Sequence, residues 1–174
     1  VYYDDIYCDK PRLFAMTEYD GFLYFIAADE KGFTLNSISL TDGEVSELAY
    51  YPLEEAITLI QDFVIEPASQ VVYAVDKRGM LLKAEDGVVT QLQDVYQNAG
   101  ENEKAALYRG AVDDRGNVYV TDIASNQLLC FSREKGYQYS KVFDGSAIWN
   151  VAVNNETGII SFVREGQIYL MDPS

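Results

Sequence analysis

The sequence predicts an all-β protein with the β-propeller fold, built from about four four-stranded antiparallel blades. A turn followed by an alternating strand occurs four times, most clearly at Val112–Asp122. The aligned positions of the copies are 49, 46 and 42 residues apart, at Tyr24, Tyr73, Tyr119 and Ser161. A self-similar period in the forties is the sequence signature of propeller blades. The three repeated tyrosines lie on equivalent strands, so we expect them to pack between blades.

Each repeat is divided into short strands by the alternation of apolar and polar residues. Period-two alternation indicates strands that bury one face, and almost no segment shows helical periodicity. The turns fall at Asp-Gly, Arg-Gly and Lys-Gly pairs, where glycine supplies the positive φ of a tight hairpin. The sequence therefore predicts a single domain over residues 1–174, with repeats at about 12–50, 60–95, 108–143 and 148–174.

The fourth repeat supplies three strands, the last at Gln167–Met171. Val1–Tyr7 alternates in the same way, and we expect it to add the missing strand and close the last blade, which removes an open sheet edge. The alternative is that this segment is a frayed leader. Leu53–Leu59 is predicted to form a helical turn, and the polar stretch Asp94–Lys104 a short helix or a mobile loop.

One repeat carries a recognisable family pattern. Val112–Leu128 resembles the NHL-type repeat, which runs apolar-Asp-x-x-Gly-Asn-apolar-Tyr-Val-x-Asp and continues through a polar turn into a strand. The other three repeats keep fewer of these residues. The resemblance implies a propeller that commonly has six blades, so four blades leave three alternatives open: a complete small ring, a part of a ring, or two chains that assemble into one ring. The matching residues are Asp113, Gly116, Asn117, Tyr119, Val120, Asp122, Asn126 and Leu128.

The charge balance excludes one large class of partner. Thirteen basic and 28 acidic residues give a formal net charge of −15. Nucleic-acid affinity depends on Lys and Arg neutralising phosphates, so this chain is not expected to bind nucleic acid. No apolar run reaches the 18 or so residues of a membrane span, so no insertion into a membrane is expected within this segment.

The chain contains no histidine. Its absence removes the commonest general base and excludes Ser-His-Asp, Cys-His and histidine-bearing zinc sites within the chain. The two cysteines, Cys8 and Cys130, follow no CxxC pattern. They pair as one disulfide in an oxidising compartment or, as we prefer, are two small buried apolar residues.

Carboxylates near strand ends suggest a hard-metal site, because Ca²⁺ prefers oxygen ligands. The chain is also similar to gluconolactonase-like propellers, a resemblance that implies a divalent metal held by Glu, Asn and Asp side chains of inner strands. The weak candidates here are Asp62, Glu66, Asn150 and Asn154. We prefer a structural role for the repeated aspartates Asp113, Asp114, Asp122 and Asp76, which accept hydrogen bonds from turn amides.

Aromatic residues suggest a recognition surface. With 14 Tyr, 8 Phe and one Trp, the chain is rich in rings that bind peptides or sugars at low entropic cost. The alternative is packing between blades. The residues nearest to unit ends, where channel and face positions occur, are Tyr50, Tyr51, Trp149 and Asn150.

These observations favour a non-catalytic module that binds a protein or a small-molecule or sugar ligand. The favoured setting is the extracytoplasmic sensor portion of a larger bacterial surface or signalling protein, with no cofactor. One alternative is a metal-dependent lactonase-like hydrolase, which would hold Ca²⁺ or another divalent ion. A second alternative is a self-assembling structural unit, in which the chain is a homodimer.

Overall fold

The computed structural model describes residues 12–53, 60–76, 79–95, 107–145 and 148–172. These residues form fifteen β-strands of five to eight residues each, which confirms the all-β prediction. None of the described segments forms a helix with the length and apolarity needed to cross a bilayer.

The strands assemble into four separate antiparallel sheets, in which consecutive strands pair as a meander. Blade 1 contains β1 (Arg12–Tyr19), β2 (Phe22–Ala28), β3 (Gly32–Ser39) and β4 (Val45–Pro52). Blade 2 contains β5 (Ile60–Glu66), β6 (Val71–Asp76), β7 (Met80–Glu85) and β8 (Val88–Asp94). Blade 3 contains β9 (Leu107–Val112), β10 (Val118–Asp122), β11 (Gln127–Ser132) and β12 (Gln138–Asp144). Blade 4 contains β13 (Ile148–Val153), β14 (Ile160–Arg164) and β15 (Gln167–Met171).

The first strand of each blade forms the inner edge of the assembly. β1 lies beside β5, β5 beside β9, and β9 beside β13. Sheets that share an inner edge and stack face to face are the blades of a β-propeller. The predicted strand Val1–Tyr7 lies outside the described residues. So do all but the end residues of the two predicted helical segments, at 54–59 and 96–104.

Three clusters of buried apolar side chains fill the spaces between neighbouring blades. The repeated tyrosines belong to them as predicted: Tyr24 packs between blades 1 and 2, Tyr73 between blades 2 and 3, and Tyr119 between blades 3 and 4. A large ring fills the wedge between two twisted sheets and buries more area than an aliphatic side chain would. The spacing of the repeat therefore sets the spacing of the interfaces.

The hairpins inside the blades use the predicted turn chemistry. Asp86-Gly87, between β7 and β8, has φ values of 51° and 75°. Glu165-Gly166, between β14 and β15, has φ values of 50° and 75°. Two consecutive positive φ values define the type I′ turn, whose twist matches that of the paired strands.

Two of the repeated aspartates, Asp113 and Asp122, organise turns, as the sequence analysis preferred. The Asp113 carboxylate accepts hydrogen bonds from the backbone amides of Arg115 at 3.0 Å and Asn117 at 2.7 Å. The Asn117 side chain then accepts the backbone amide of Arg133 at 3.1 Å and so joins this turn to the end of β11. Asp122 closes the next turn in the same way, by accepting the amides of residues 124 and 125.

A charged pair joins blade 2 to blade 3 next to this turn. The Arg133 guanidinium donates to both oxygens of Glu66, with Nη1–Oε1 and Nη2–Oε2 distances of 3.0 and 2.9 Å. Its Nε donates to the Tyr137 hydroxyl at 3.1 Å, and that hydroxyl lies 3.0 Å from the Tyr73 hydroxyl. Gly116 leaves room for the cation, because a Cβ at this position would overlap the Arg133 guanidinium.

We expect Arg133→Met to lower the free energy of unfolding by about 1–3 kcal/mol, measured by urea denaturation, because it leaves the Glu66 carboxylate without its cation. The loss is smaller than for a fully buried pair, since the Arg133 side chain is 36% exposed. Glu66→Gln combined with Arg133→Met should recover part of it.

The matched control is Lys83→Met, which removes a charge from the Lys83–Glu85 pair, whose carboxylate is 46% exposed against 10% for that of Glu66. Such a pair contributes less than about 1 kcal/mol. Equal losses in the two single variants would contradict a structural role for the Glu66–Arg133 pair.

Candidate functional site

Every inner strand has a β-bulge near its beginning. In β9, Leu107 and Gly110 pair with Asp122 and Val120, so two residues, 108 and 109, lie opposite one residue of β10. The register of β1, β5 and β13 shifts at the corresponding points, between 13 and 16, 60 and 62, and 148 and 151. A bulge bends its strand and turns side chains out of the regular alternation, which is why bulges often occur beside binding sites.

The bulges of β9 and β13 are neighbours, and together they present Tyr108, Arg109 and Trp149. The Tyr108 and Trp149 rings meet edge to face, with centroids 6.1 Å apart and an interplanar angle of 85°. The Arg109 guanidinium lies over the Tyr108 ring, 4.8 Å from its centroid. Trp149 nevertheless remains 49% exposed. We call these three side chains the bulge surface.

A carboxylate from the preceding blade holds Arg109 in place. Asp62, buried on β5, accepts the Gly110 amide at 3.0 Å through Oδ2 and Arg109 Nη1 at 3.3 Å through Oδ1. Burial raises the pKa of the Asp62 carboxyl above its ordinary value, and the Gly110 amide and the Arg109 charge partly oppose that rise. The bulge of β9 is therefore attached to blade 2 by a hydrogen bond and an ion pair.

Thr121 supports the bulge surface from the other side. It is the single β10 residue opposite the β9 bulge, and it is fully buried. Its hydroxyl accepts the Arg109 amide at 3.1 Å and lies 3.4 Å from the carbonyl oxygens of Arg109 and Trp149, to one of which it donates. This one hydroxyl thus contacts the backbone of both bulges and orients their exposed side chains.

The four ligand-binding candidates from the sequence are not brought together. Trp149 and Asn150 occupy the β13 bulge, whereas Tyr50 and Tyr51 lie on β4, the outermost strand of blade 1. Tyr51 is 1% exposed and stacks on Phe33 with centroids 5.1 Å apart, so it belongs to the packing between blades. Tyr50 is 41% exposed and offers a ring to solvent away from the inner edge.

Sequence reasoning missed Tyr108 and Arg109, and it considered Asp62 only as a metal ligand. A signal was available, because Tyr108-Arg109 precedes Gly110 just as Trp149-Asn150 precedes Val151 at the start of an inner strand. An alignment of the inner strands, in place of the second strands, would have placed these pairs at one position.

The four metal candidates have other contacts or lie apart. Asp62 and Glu66 bind arginines of blade 3, and three intervening residues of extended strand place their Cα atoms about 13 Å apart. The Asn154 side chain accepts the amides of residues 156 and 157 in a turn. In the described ranges, no three His, Cys, Asp or Glu side chains are grouped to hold a metal ion. Bound Ca²⁺ stays a prediction.

The described cysteine, Cys130, is partly buried on β11. Burial raises the pKa of its thiol, and the neighbouring Tyr119 hydroxyl partly offsets that rise. Cys8 lies outside the described residues, so pairing of the two cysteines remains a prediction.

No protein-family model matches the chain. No curated protein sequence matches it either. Solved structures do match. A structure from a nidogen/laminin complex is 14% identical with a TM-score of 0.65, over 92% of this chain and 60% of that one. A virginiamycin B lyase from Staphylococcus aureus is 13% identical with a TM-score of 0.56, over 93% and 56%.

A third match is an extracellular domain ascribed to a one component system of B. thetaiotaomicron. It is 14% identical with a TM-score of 0.55, over 91% of this chain and 21% of that one. The chain is a β-propeller. It spans 60% or less of each of these three structures. They include an enzyme as well as proteins with other roles, so the shared fold does not assign an activity.

The pKa of Asp62 gives a test of its environment. A carboxyl whose pKa is raised in the folded state binds its proton more tightly there, so its contribution to stability falls as pH rises through that pKa. We expect the free energy of unfolding of the wild type, relative to Asp62→Asn, to decrease from pH 3 to pH 7 in urea titrations.

Asp42 serves as the control, because its pKa is shifted in the opposite direction to that of Asp62. The Glu44 amide, 3.0 Å from its Oδ1, and then the Ser39 hydroxyl lower the pKa of this exposed carboxyl. The stability of the wild type relative to Asp42→Asn should therefore increase over the same pH range. If the stability of the wild type relative to Asp62→Asn stays constant or increases between pH 3 and pH 7, as expected for Asp42, the raised pKa of Asp62 is refuted.

Proposed function

We propose that this propeller is a non-catalytic binding module that recognises a partner protein through the bulge surface. Tyr, Trp and Arg are the residue types most enriched among side chains that dominate the energy of protein interfaces. The observation that carries the proposal is the exposed Trp149 ring, held edge to face against Tyr108 beside the stacked Arg109.

The bulge surface is organised before any ligand arrives. Asp62 and Thr121 fix the backbone of both bulges through hydrogen bonds from buried positions. A side chain that is already oriented loses less conformational entropy on binding, so more of its contact energy contributes to affinity. An exposed tryptophan with that support is better explained by recognition than by packing.

The chemistry near the bulge surface supports a non-catalytic role. Asp62, the buried carboxylate there, is engaged by the Gly110 amide and by Arg109. The matching lyase is described as catalytically inactive when one of its histidines is replaced by alanine, and the present chain contains no histidine. The lactonase-like alternative requires a divalent ion, so an equimolar metal in the purified protein, measured by mass spectrometry, would favour it.

The setting that we propose is the extracytoplasmic sensor portion of a larger bacterial surface or signalling protein. Two matching structures support it: one comes from a complex between two proteins, and another is an extracellular domain of a one component system. The acidic charge of −15 agrees with a protein partner that carries basic groups and disfavours nucleic acid.

The proposal is tested with peptides selected from a random display library against the 174-residue chain. We expect Trp149→Ala and Arg109→Met each to raise the Kd of a selected peptide at least about tenfold, measured by fluorescence polarisation of the labelled peptide. Trp149 is the sole tryptophan, so its emission should also change on binding to the wild type.

Tyr50→Ala is the matched control, because it removes an exposed ring from β4, away from the bulge surface. Its Kd should stay within about twofold of the wild type. Binding that is lost in Tyr50→Ala and kept in Trp149→Ala would move the site to blade 1. Sugars that bind through Trp149 where peptides do not would replace the protein partner with a carbohydrate.

A further inference from the structure

The bulge surface offers hydrogen-bond donors to solvent. The Trp149 indole carries one donor and no acceptor, and the residue is 49% exposed. The Arg109 guanidinium carries several donors and no acceptor. Its Nη1 donates to Asp62, and the side chain is still 40% exposed. Of the three side chains, the Tyr108 hydroxyl alone can also accept. The surface therefore suits a ligand that has acceptors and few donors.

The buried acceptors behind the bulge surface are engaged by the protein itself. Asp62 is 8% exposed, and its two oxygens accept the Gly110 amide and the Arg109 guanidinium. The Thr121 hydroxyl is fully buried against the backbone of both bulges. A peptide that carried a backbone N–H at every residue would bring donors to this place. Each donor that lost its water without gaining a partner would weaken binding.

A proline-rich segment has the complementary chemistry. Proline lacks a backbone N–H and keeps its carbonyl acceptor. Runs of proline adopt the polyproline II helix, which forms no internal hydrogen bonds and leaves its carbonyls open to other donors. Such segments bind in grooves lined with aromatic side chains. The Tyr108 and Trp149 rings meet at 85°, so their planes form a corner in which a pyrrolidine ring can pack.

The charge of the chain adds a preference for basic residues beside the prolines. The Arg109 charge is paired with Asp62, so the bulge surface itself contributes little net charge. The whole chain carries a formal charge of −15, which attracts cations and repels anions that approach it. Lysine or arginine next to the prolines would therefore favour binding, and acidic residues there would oppose it.

We infer that the bulge surface binds a proline-rich segment of its partner, flanked by basic residues. This inference rests on the proposed function, because it names the peptide class that the same surface recognises. The prolines pack against Trp149 and Tyr108, and their carbonyls accept hydrogen bonds from the Trp149 indole and from Arg109. Asp62 and Thr121 hold the bulges in place, and the polyproline helix is equally preformed, so little conformational entropy is lost on binding.

The test uses two fluorescein-labelled peptides of equal length and equal charge. One has a run of prolines between two pairs of lysines, and the other has alternating alanine and serine in place of the prolines. We expect the proline peptide to bind the 174-residue chain with a Kd at least about tenfold lower, measured by fluorescence polarisation. In about 1 M salt, where the Debye length is about 3 Å, both peptides should bind more weakly while the preference for proline remains.

Two substitutions of Trp149 separate the ring from its donor. Trp149→Ala should raise the Kd of the proline peptide at least about tenfold, because it removes both. Trp149→Phe keeps an apolar ring and removes the indole donor, so it should raise the Kd about threefold to tenfold. The matched control is Tyr50→Ala, which removes an exposed ring from β4 and should leave the Kd within about twofold of the wild type. Circular dichroism verifies that each variant keeps its β-structure.

Two results would overturn the inference. Equal Kd values for the two lysine-flanked peptides would show that charge alone explains the binding. A proline peptide whose Kd is unchanged by Trp149→Ala would bind elsewhere on the chain.

Failure of the proposed function gives a different result. In that case the peptides selected from the display library would not depend on Trp149 either. If the selected peptides do depend on Trp149 but carry no proline, the bulge surface binds a different class of peptide, and the inference fails while the proposed function stands.

Discussion

Apolar packing between sheet faces holds the four blades together, because each described sheet forms its strand hydrogen bonds within itself. The clusters between successive blades therefore determine how the sheets sit relative to one another. Hydrophobic burial is strong but has no direction. The directional contacts between blades described above occur where the inner strands meet or where a turn approaches the next blade.

The bulge surface depends on that arrangement. Asp62 belongs to blade 2, while the amide and the guanidinium that it binds belong to blade 3. In the same way, Thr121 of blade 3 contacts the backbone of Trp149 in blade 4. A change in the spacing between sheets would therefore alter the orientation of the exposed rings, although none of the packing residues lies at the surface itself. The orientation of the bulge surface and the packing between blades are therefore coupled.

The fold could be predicted from the sequence because the repeat places equivalent residues at a regular spacing along the chain. Tyr24, Tyr73 and Tyr119 recur on the same strand of successive blades, and each fills the same wedge. The turns could be predicted equally well, because Asp-Gly pairs and the Asp113 carboxylate act on neighbours within a few residues. Local chemistry and regular period are the two kinds of information that a single sequence carries well.

The candidate site was predicted less completely, for a physical reason. A bulge adds one residue to one strand, and this irregularity shifts Tyr108 and Arg109 out of the alternation that strand patterns rely on. The pairing of Asp62 with Arg109 joins residues 47 positions apart, which no local pattern reveals. Tyr50 and Tyr51 show another limit of sequence reasoning. The two adjacent residues are identical in the sequence, but Tyr51 is buried and Tyr50 faces solvent.

The glycine of the most regular repeat limits how modular the propeller is. Gly116 is the position where the Arg133 cation fits, and that cation belongs as much to Glu66 of the preceding blade as to its own turn. A chain built from identical copies of blade 3 would reproduce the turn and the arginine at every position, but Asp113, which has the same place in the strand register, would stand where Glu66 stands now. Each copied arginine would then meet an aspartate that is one methylene shorter and already accepts the amides of its own turn. The idealised repeat protein would have to recover the longer carboxylate before its blades could be exchanged freely.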